Sequence, residues 1–177
     1  MTMPVIGYAG MTHLGLNSAV TTAEKGFVTV CYDNNAMEIA KLKRNQLSIV
    51  EPDLPELLEK NADRIKFTTD LEGLSSCDLV YIAADVQTDG SAQSDLGPIN
   101  ALIDQVDAAL RDDAVMVILS QVPPGFTRGH QQQNRLLFCQ VETLIFGQAI
   151  SRALNPERYI IGCNEPSEPL PEAFAQF

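Results

Sequence analysis

The 177-residue sequence predicts an α/β domain built on a doubly wound, mostly parallel sheet with helices on both faces. Two observations support this fold class. Compact apolar runs alternate along the chain with stretches in which apolar residues recur every three or four positions, which indicates strands alternating with helices. The runs are compact and largely apolar, as is typical of strands that are covered on both faces of a parallel sheet.

The predicted elements follow one another in strand–helix order. The strong strand candidates are Val5–Ala9, Val28–Tyr32, Leu79–Ala83 and Val115–Leu119, and the weaker ones are Arg64–Thr68, Leu136–Val141 and Tyr159–Ile161. A first helix is expected to end at Gly26, because glycine commonly follows a helix C-terminus. Apolar residues on one face predict a helix over Ile99–Leu110, and a frayed helix is expected between Met37 and Leu47.

The end of the sequence differs in composition from the rest. Residues 165–171, EPSEPLP, contain three prolines in seven residues, and proline continues neither a helix nor an inner strand. We therefore expect a Rossmann-like domain over residues 1–164. Residues 165–177 are expected to form a proline-rich linker toward a second domain that is absent from this chain.

Composition excludes several classes of partner. The sequence has 23 acidic and 12 basic residues, for a net charge of −11, and such a surface repels phosphate backbones, so no nucleic acid is expected. No apolar stretch approaches the ~20 residues that cross a bilayer, so no membrane is expected either. The four cysteines form no CxxC pair and predict no metal site. They are interpreted as small buried hydrophobes, which indicates a reducing, cytoplasmic location.

The strongest chemical signal is the turn between the first strand and the first helix. Gly10 permits a sharp exit from the strand, and Gly15 allows the helix to pack closely against it. Backbone N–H groups in the turn are expected to face a pyrophosphate at the positive end of the helix dipole. The candidate cofactor-binding residues of the turn are Gly10, Met11, Thr12, His13, Leu14 and Gly15.

The second strand ends in a carboxylate at the distance that a dinucleotide site requires. Asp33 lies 23 residues after Gly10 and is expected to accept hydrogen bonds from both ribose hydroxyls of the adenosine. Because a carboxylate repels a 2′-phosphate, the unit predicts NAD rather than NADP as the cofactor.

Two residues of the turn have alternative interpretations. Thr12 replaces the middle glycine of the Gly-x-Gly-x-x-Gly pattern. Its side chain intrudes on the pyrophosphate, whereas its hydroxyl offers a hydrogen bond to a phosphate oxygen. His13 is either a pyrophosphate contact or a polar residue at a helix N-terminus. If the glycines serve only turns and packing, the domain binds no ligand.

Five phrases further along the chain resemble one known family in their order and spacing. They are NQLSIVEPDLPELLEK (45–60), IKFTTDLEGLSSCDLVYIA (65–83), VQTDGSAQSDL (86–96), LSQVPPGFTR (119–128) and QVETLIFGQAISRALNPERYIIG (140–162). The resemblance is to the NAD-binding domain of the UDP-glucose/GDP-mannose dehydrogenases. It implies an NAD-dependent oxidation of the C6 alcohol of a nucleotide sugar to a carboxylate, through two hydride transfers.

The resemblance also implies roles for individual residues. Glu142 matches a family glutamate that assists the attack of water, and Gln121 replaces a threonine that helps hold this water. A second family glutamate falls on Phe146. Thr88 and Ser120 follow strand candidates, where loops of such sheets line the ligand crevice, and are candidate cofactor-binding residues.

The family's nucleophilic cysteine belongs to a later domain, so this chain alone is expected to be inactive. The full-length enzyme is expected to be a homo-oligomer. The departures from the family pattern indicate a divergent subgroup and leave the particular nucleotide sugar open. Two other functions also stay open: a stand-alone nucleotide-binding or regulatory module, and an NAD-dependent dehydrogenase of the hydroxyacid type.

Overall fold

The computed structural model describes residues 3–130 and 135–177. In these residues a single seven-stranded sheet has the order β3-β2-β1-β4-β5-β6-β7. Neighbouring strands from β3 to β6 pair in parallel, and β7 pairs antiparallel with β6. The strands are β1 (Ile6–Ala9), β2 (Thr29–Tyr32), β3 (Ile65–Thr68), β4 (Leu79–Ile82), β5 (Val115–Ile118), β6 (Leu136–Gln140) and β7 (Ile161–Gly162). The predicted fold class is confirmed.

Helices connect most of the strands. They are α1 (His13–Glu24), α2 (Ala36–Leu42), α3 (Leu54–Lys60), α4 (Gly97–Ala109), α5 (Phe126–Gly129), α6 (Ala149–Leu154) and α7 (Glu172–Gln176), with a 3₁₀ helix at Leu71–Ser76. The predicted stop of α1 is confirmed, since Gly26 follows the C-cap residue Lys25 with a φ of +101°. The frayed helix predicted up to Leu47 ends earlier, at Leu42.

Burial explains why the inner strands are so apolar. Every residue of β1, β2, β4 and β5 is buried, whereas β3 and β6 are partly exposed. One face of the sheet packs against α1, α3 and α6, and α4 and the 3₁₀ helix cover the other face. Both faces of the inner strands therefore need apolar side chains, which removes the alternation that a half-exposed strand shows.

The strand order creates a crevice at the carboxyl ends of the central strands. From β1 the chain moves to β2 and β3 on one side and then crosses over to β4, which pairs with the other side of β1. The carboxyl ends of β1 and β4 thus lie at a topological switch point, where the connections leave in opposite directions. Open α/β sheets bind their ligands in this position.

One sequence-based expectation, the burial of all four cysteines, is wrong in part near β7. Cys31 and Cys77 are buried as predicted, but Cys139 and Cys163 are only half-buried. Both thiols line a solvent-open groove together with residues 122–128, so neither is fully covered. In the segment expected to be a linker, Phe174 of α7 is buried against Phe138. The domain boundary at residue 164 stays a prediction.

Among the helices of residues 3–130 and 135–177, none combines the length and the apolar character that crossing a membrane requires.

Candidate functional site

The turn between β1 and α1 requires glycine at two positions. Gly10 has a φ of +102°, and a Cβ atom there would lie 2.9 Å from the backbone nitrogen of Ala84, just after β4. A Cβ atom at Gly15 would overlap the carbonyl oxygen of Gly10. The turn therefore packs backbone against backbone, both with the end of β4 and within itself. The roles predicted for these two glycines in turning and close packing agree with this geometry.

The start of α1 presents free hydrogen-bond donors. The helix begins at His13, and among the described residues the N–H groups of His13 and Leu14 have no protein acceptor. These groups form the positive end of the helix dipole. They lie next to the switch point between β1 and β4, so the observed turn fits a dinucleotide pyrophosphate.

The hydroxyl group of Thr12 is already engaged within the protein. It donates a hydrogen bond to the carbonyl oxygen of Ala83 at 2.8 Å and accepts one from the N–H of Gly15 at 3.3 Å. A hydroxyl has one proton to donate. While Thr12 gives this proton to Ala83 it is not a donor to a phosphate oxygen, and its evident role is to cap α1.

Asp33 connects the end of β2 to the glycine turn. One carboxylate oxygen accepts the N–H of Met11 at 2.7 Å, and the other accepts the N–H of Asn35 at 2.8 Å. An ionised carboxylate offers about four lone-pair positions, so two remain after these bonds. Asp33 therefore holds the turn and keeps the capacity to accept two hydroxyl groups.

His13 contacts a residue that the sequence analysis did not single out. Its Nε2 atom lies 2.7 Å from Oε1 of Glu51, whose side chain has no exposed surface. Burial by itself raises the pKa of Glu51, but hydrogen bonds from His13 and from the N–H groups of Gly147 and Ala149 outweigh it, and the pKa is lowered. Glu51 lies within the family-like phrase at 45–60, but the sequence does not indicate its partners, which are 38, 96 and 98 residues away.

A solvent-open crevice of about 790 Å³ lies beside the start of α1. Its walls come from the segments that follow β1, β4, β5 and β6. The lining residues are His13, Leu14, Ala84, Asp85, Val86, Gln121, Glu142, Leu144 and Phe146. The crevice therefore brings part of the predicted cofactor turn together with both candidate catalytic residues.

Gln121 and Glu142 contact each other directly. The Nε2 atom of Gln121 donates to Oε2 of Glu142 at 3.2 Å, and the N–H of Leu144 donates to Oε1. The two residues follow β5 and β6, which are neighbours in the sheet, and this explains their meeting across 21 residues of sequence. A carboxylate and an amide side by side can hold a water molecule through both a donor and an acceptor.

The remaining two candidates lie differently. Ser120 is buried, and its hydroxyl donates to the carbonyl oxygen of Ala84 at 2.6 Å, with that of Ile82 as the alternative acceptor at 3.2 Å. Either bond fastens the end of β5 to the end of β4. Thr88 lies on an exposed loop, where it forms an isolated bridge with Ser94, and it does not line the crevice. Among the described residues, no group of three or more histidine, cysteine or acidic side chains is arranged to hold a metal ion.

A glycine turn with free N–H groups at a switch point, and a carboxylate at the end of the next strand, are the means by which dinucleotide-binding domains hold their ligand. The fold and the site place the protein in this class. Residues 2–175 match the model of the UDP-glucose/GDP-mannose dehydrogenase family, NAD binding domain. The chain belongs to this family, and both the family and the cofactor predicted from the sequence are confirmed.

Individual relatives agree with this assignment. The chain is 30% identical over 185 residues to a UDP-glucose 6-dehydrogenase of Pseudomonas aeruginosa and 32% identical over 172 residues to UDP-glucose 6-dehydrogenase TuaD of Bacillus subtilis. The matches cover 95% and 90% of this chain but only 41% and 37% of those relatives. The chain thus spans about two fifths of the length of the curated relatives that it matches.

Solved structures show the same fold. A UDP-glucose dehydrogenase from Pyrobaculum islandicum superimposes with a TM-score of 0.83 at 24% identity, over 93% of this chain and 41% of that one. A GDP-mannose dehydrogenase from Pseudomonas aeruginosa also gives 0.83, at 21% identity, over 90% of this chain and 41% of that one.

Proposed function

We propose that this chain binds NAD at the β1–α1 turn as the cofactor half of a nucleotide-sugar dehydrogenase. The observation that carries the proposal is the pair of free N–H groups of His13 and Leu14, which lie at the start of α1 beside the crevice. Two negatively charged phosphates find there both hydrogen-bond donors and the favourable end of the helix dipole.

The choice of NAD over NADP rests on Asp33. Its carboxylate has two lone-pair positions left for the hydroxyls of the adenosine ribose. A 2′-phosphate in the same place would bring two negative charges together, which disfavours NADP.

The substrate half of the proposal places a nucleotide sugar across the crevice from the turn. NAD, when bound, supplies the hydride acceptor for oxidation of the sugar's C6 alcohol. The contribution of this chain is to orient water, with Gln121 and Glu142 holding it through their paired amide and carboxylate. Glu142 is the proposed general base for the attack of this water.

The chain alone is proposed to be inactive toward nucleotide sugars, because a covalent route needs an activated nucleophile. Burial raises the pKa of the Cys77 thiol to about 12 and that of the Cys31 thiol still further. A thiol in this state has little nucleophilic thiolate near neutral pH. Cys139 and Cys163 do not line the crevice. The nucleophile is proposed to come from a part of the enzyme that these residues do not include.

Three further properties are part of the proposal. The four free thiols favour a reducing, cytoplasmic location. The three prolines of residues 165–171 favour a domain boundary near residue 164. The full-length enzyme is proposed to be a homo-oligomer. The nucleotide sugar is proposed only as a class, since the relatives named above act on more than one.

The experiment that tests the proposal is a calorimetric titration of the chain with NAD and, separately, with NADP. We expect one NAD site per chain and weaker binding of NADP. No binding of NAD, or binding of NADP as tight as that of NAD, would refute the proposed cofactor site.

A second assay tests whether the chain alone oxidises nucleotide sugars. The chain is incubated with NAD and with UDP-glucose, UDP-N-acetyl sugars or GDP-mannose, and the absorbance of NADH is followed. We expect no sustained NADH production. Sustained turnover by the pure 177-residue chain would show that the nucleophile is present in it.

A further inference from the structure

The carboxylate of Glu51 joins two parts of the site that lie far apart in the sequence. Its Oε1 atom accepts hydrogen bonds from Nε2 of His13 and from the N–H of Gly147, both at 2.7 Å. Its Oε2 atom accepts the N–H of Ala149, the first residue of α6, at 3.3 Å. A single buried side chain thus connects the start of α1 to the start of α6.

The roles of donor and acceptor in these hydrogen bonds are fixed. An ionised carboxylate only accepts hydrogen bonds, so Nε2 of His13 carries the proton in the bond to Glu51. All three donors point at one fully buried acceptor, and removing its charge leaves polar groups without partners. Glu51 therefore fixes the side chain of His13, the residue whose N–H group faces the proposed pyrophosphate position.

A second contact links the same two regions. The ring of His13 packs on the ring of Phe146, with centroids 4.1 Å apart and an interplanar angle of 34°. Phe146 lies four residues after Glu142 in the segment that leads to α6. Arg152 of α6 donates from Nε to the carbonyl oxygen of Thr143 at 2.9 Å. Residues 142–149 are thus held by α6 on one side and by His13 and Glu51 on the other.

We propose that Glu51 is a positioning residue that couples binding of the dinucleotide at the glycine turn to the placement of residues 142–149, and so of Glu142. The proposal rests on the proposed NAD site. An anion bound by the N–H groups of His13 and Leu14 restrains the backbone of His13. The His13–Glu51–Gly147 hydrogen bonds pass this restraint to the segment that carries Glu142.

Amide hydrogen exchange at Gly147 and Ala149 measures the coupling directly, because both N–H groups donate to Glu51. In the native chain we expect saturating NAD to slow their exchange about threefold to tenfold, in line with the strengthening of one or two hydrogen bonds. In Glu51→Gln an NH₂ group replaces one carboxylate oxygen, and because it is itself a donor it cannot accept a hydrogen bond from the N–H group that faces it. We expect this variant to exchange faster without cofactor, to lose the NAD-induced slowing, and to bind NAD about tenfold more weakly.

Glu24→Gln is the matched control. Glu24, at the other end of α1, accepts hydrogen bonds from Lys60 Nζ at 2.6 Å and from Asn61 Nδ2 at 2.7 Å. This variant removes a paired carboxylate from the same helix but leaves the crevice untouched. We expect the NAD affinity and the NAD-induced slowing at Gly147 to stay native.

Phe146→Ala keeps the proposal testable if Glu51→Gln fails to fold. Phe146 is 78% exposed, so its truncation spares the core. We expect the NAD-induced slowing at Gly147 to fall by about half, because the ring contact with His13 is lost while the hydrogen bonds remain.

The outcomes separate the two proposals. If the native chain binds NAD but exchange at Gly147 and Ala149 does not change, the coupling is refuted and the NAD site stands. Retention of the NAD-induced slowing in Glu51→Gln also refutes the coupling. Absence of any NAD binding to the native chain refutes the proposed function, and the coupling with it.

Discussion

Replacing Gly10 by alanine separates two reasons for a glycine in the turn. Its φ of +102° disfavours any residue with a side chain, and the new Cβ atom would lie 2.9 Å from the nitrogen of Ala84 and 3.0 Å from the carbonyl carbon of Ala83. Gly26 provides a matched control. It has a φ of +101°, but its Cβ atom would meet only the end of the Met3 side chain, at 3.9 Å.

The expected magnitudes follow from these contacts. Strain at a positive φ costs about 1–2 kcal/mol at either position. At Gly10 the backbone of Ala83 and Ala84 must also move by a few tenths of an ångström, and overpacking of this kind costs about 1–3 kcal/mol more. We therefore expect Gly10→Ala to lower the free energy of unfolding by about 3 kcal/mol and the Tm by about 6–12 °C. Gly26→Ala is expected to show about half of this loss.

The assay combines thermal unfolding with calorimetric titration of NAD. Because the shift at Gly10 displaces the turn itself, we expect Gly10→Ala to weaken NAD binding at least about tenfold, or about 1.4 kcal/mol. Gly26→Ala is expected to bind NAD as the native chain does. If the two variants lose equal stability and bind NAD equally well, the close approach of the turn to β4 does not matter and the reasoning is refuted.

Three other substitutions test the remaining contacts. Asp33→Ala is expected to weaken NAD binding by about 2–4 kcal/mol and to reduce the preference over NADP, measured by calorimetry with both cofactors; an unchanged preference would contradict the role of Asp33. Thr12→Gly is expected to lower the free energy of unfolding by about 1 kcal/mol, because the cap and the bond to Ala83 are lost. Its NAD affinity is expected to stay native or to rise, and a large loss of affinity would show that the hydroxyl is a ligand. The lowered pKa of Glu51 predicts a stabilisation that is complete above the ordinary carboxyl pKa and is lost as the pH falls through the lowered value. Denaturant unfolding is expected to show a difference in stability between the native chain and Glu51→Gln at neutral pH, which shrinks as the pH falls below the ordinary carboxyl pKa. A difference independent of pH would contradict the ionised state of Glu51.

The main features of the fold are predictable from the sequence, because strands that are buried on both faces consist of apolar residues. Val115–Ile118 is buried at every position, and all four of its residues are apolar. The limits of α2 are harder to predict. Its pattern continues to Leu47, but the helix ends at Leu42, and Asn45 has a φ of +55°. Cys139 is half-buried because it lines an open groove with residues 122–128, and composition does not reveal this arrangement.

Within the site, the sequence predicts those residues whose position follows from a backbone turn or from a fixed spacing along the chain. The glycine turn and Asp33 are of this kind, since their positions follow from one strand–helix–strand unit. Glu51 is not, because its hydrogen bonds come from donors that the fold brings to it from two other segments. The two possible roles of Thr12 also need the structure, which shows where its single proton goes.

Binding of NAD across the glycine turn is visible in a crystal structure of the chain grown with NAD. We expect the pyrophosphate to accept hydrogen bonds from the N–H groups of His13 and Leu14 and the hydroxyls of the adenosine ribose to donate to Asp33. A dinucleotide bound elsewhere on the domain, or one whose adenosine ribose lies away from Asp33, would contradict it.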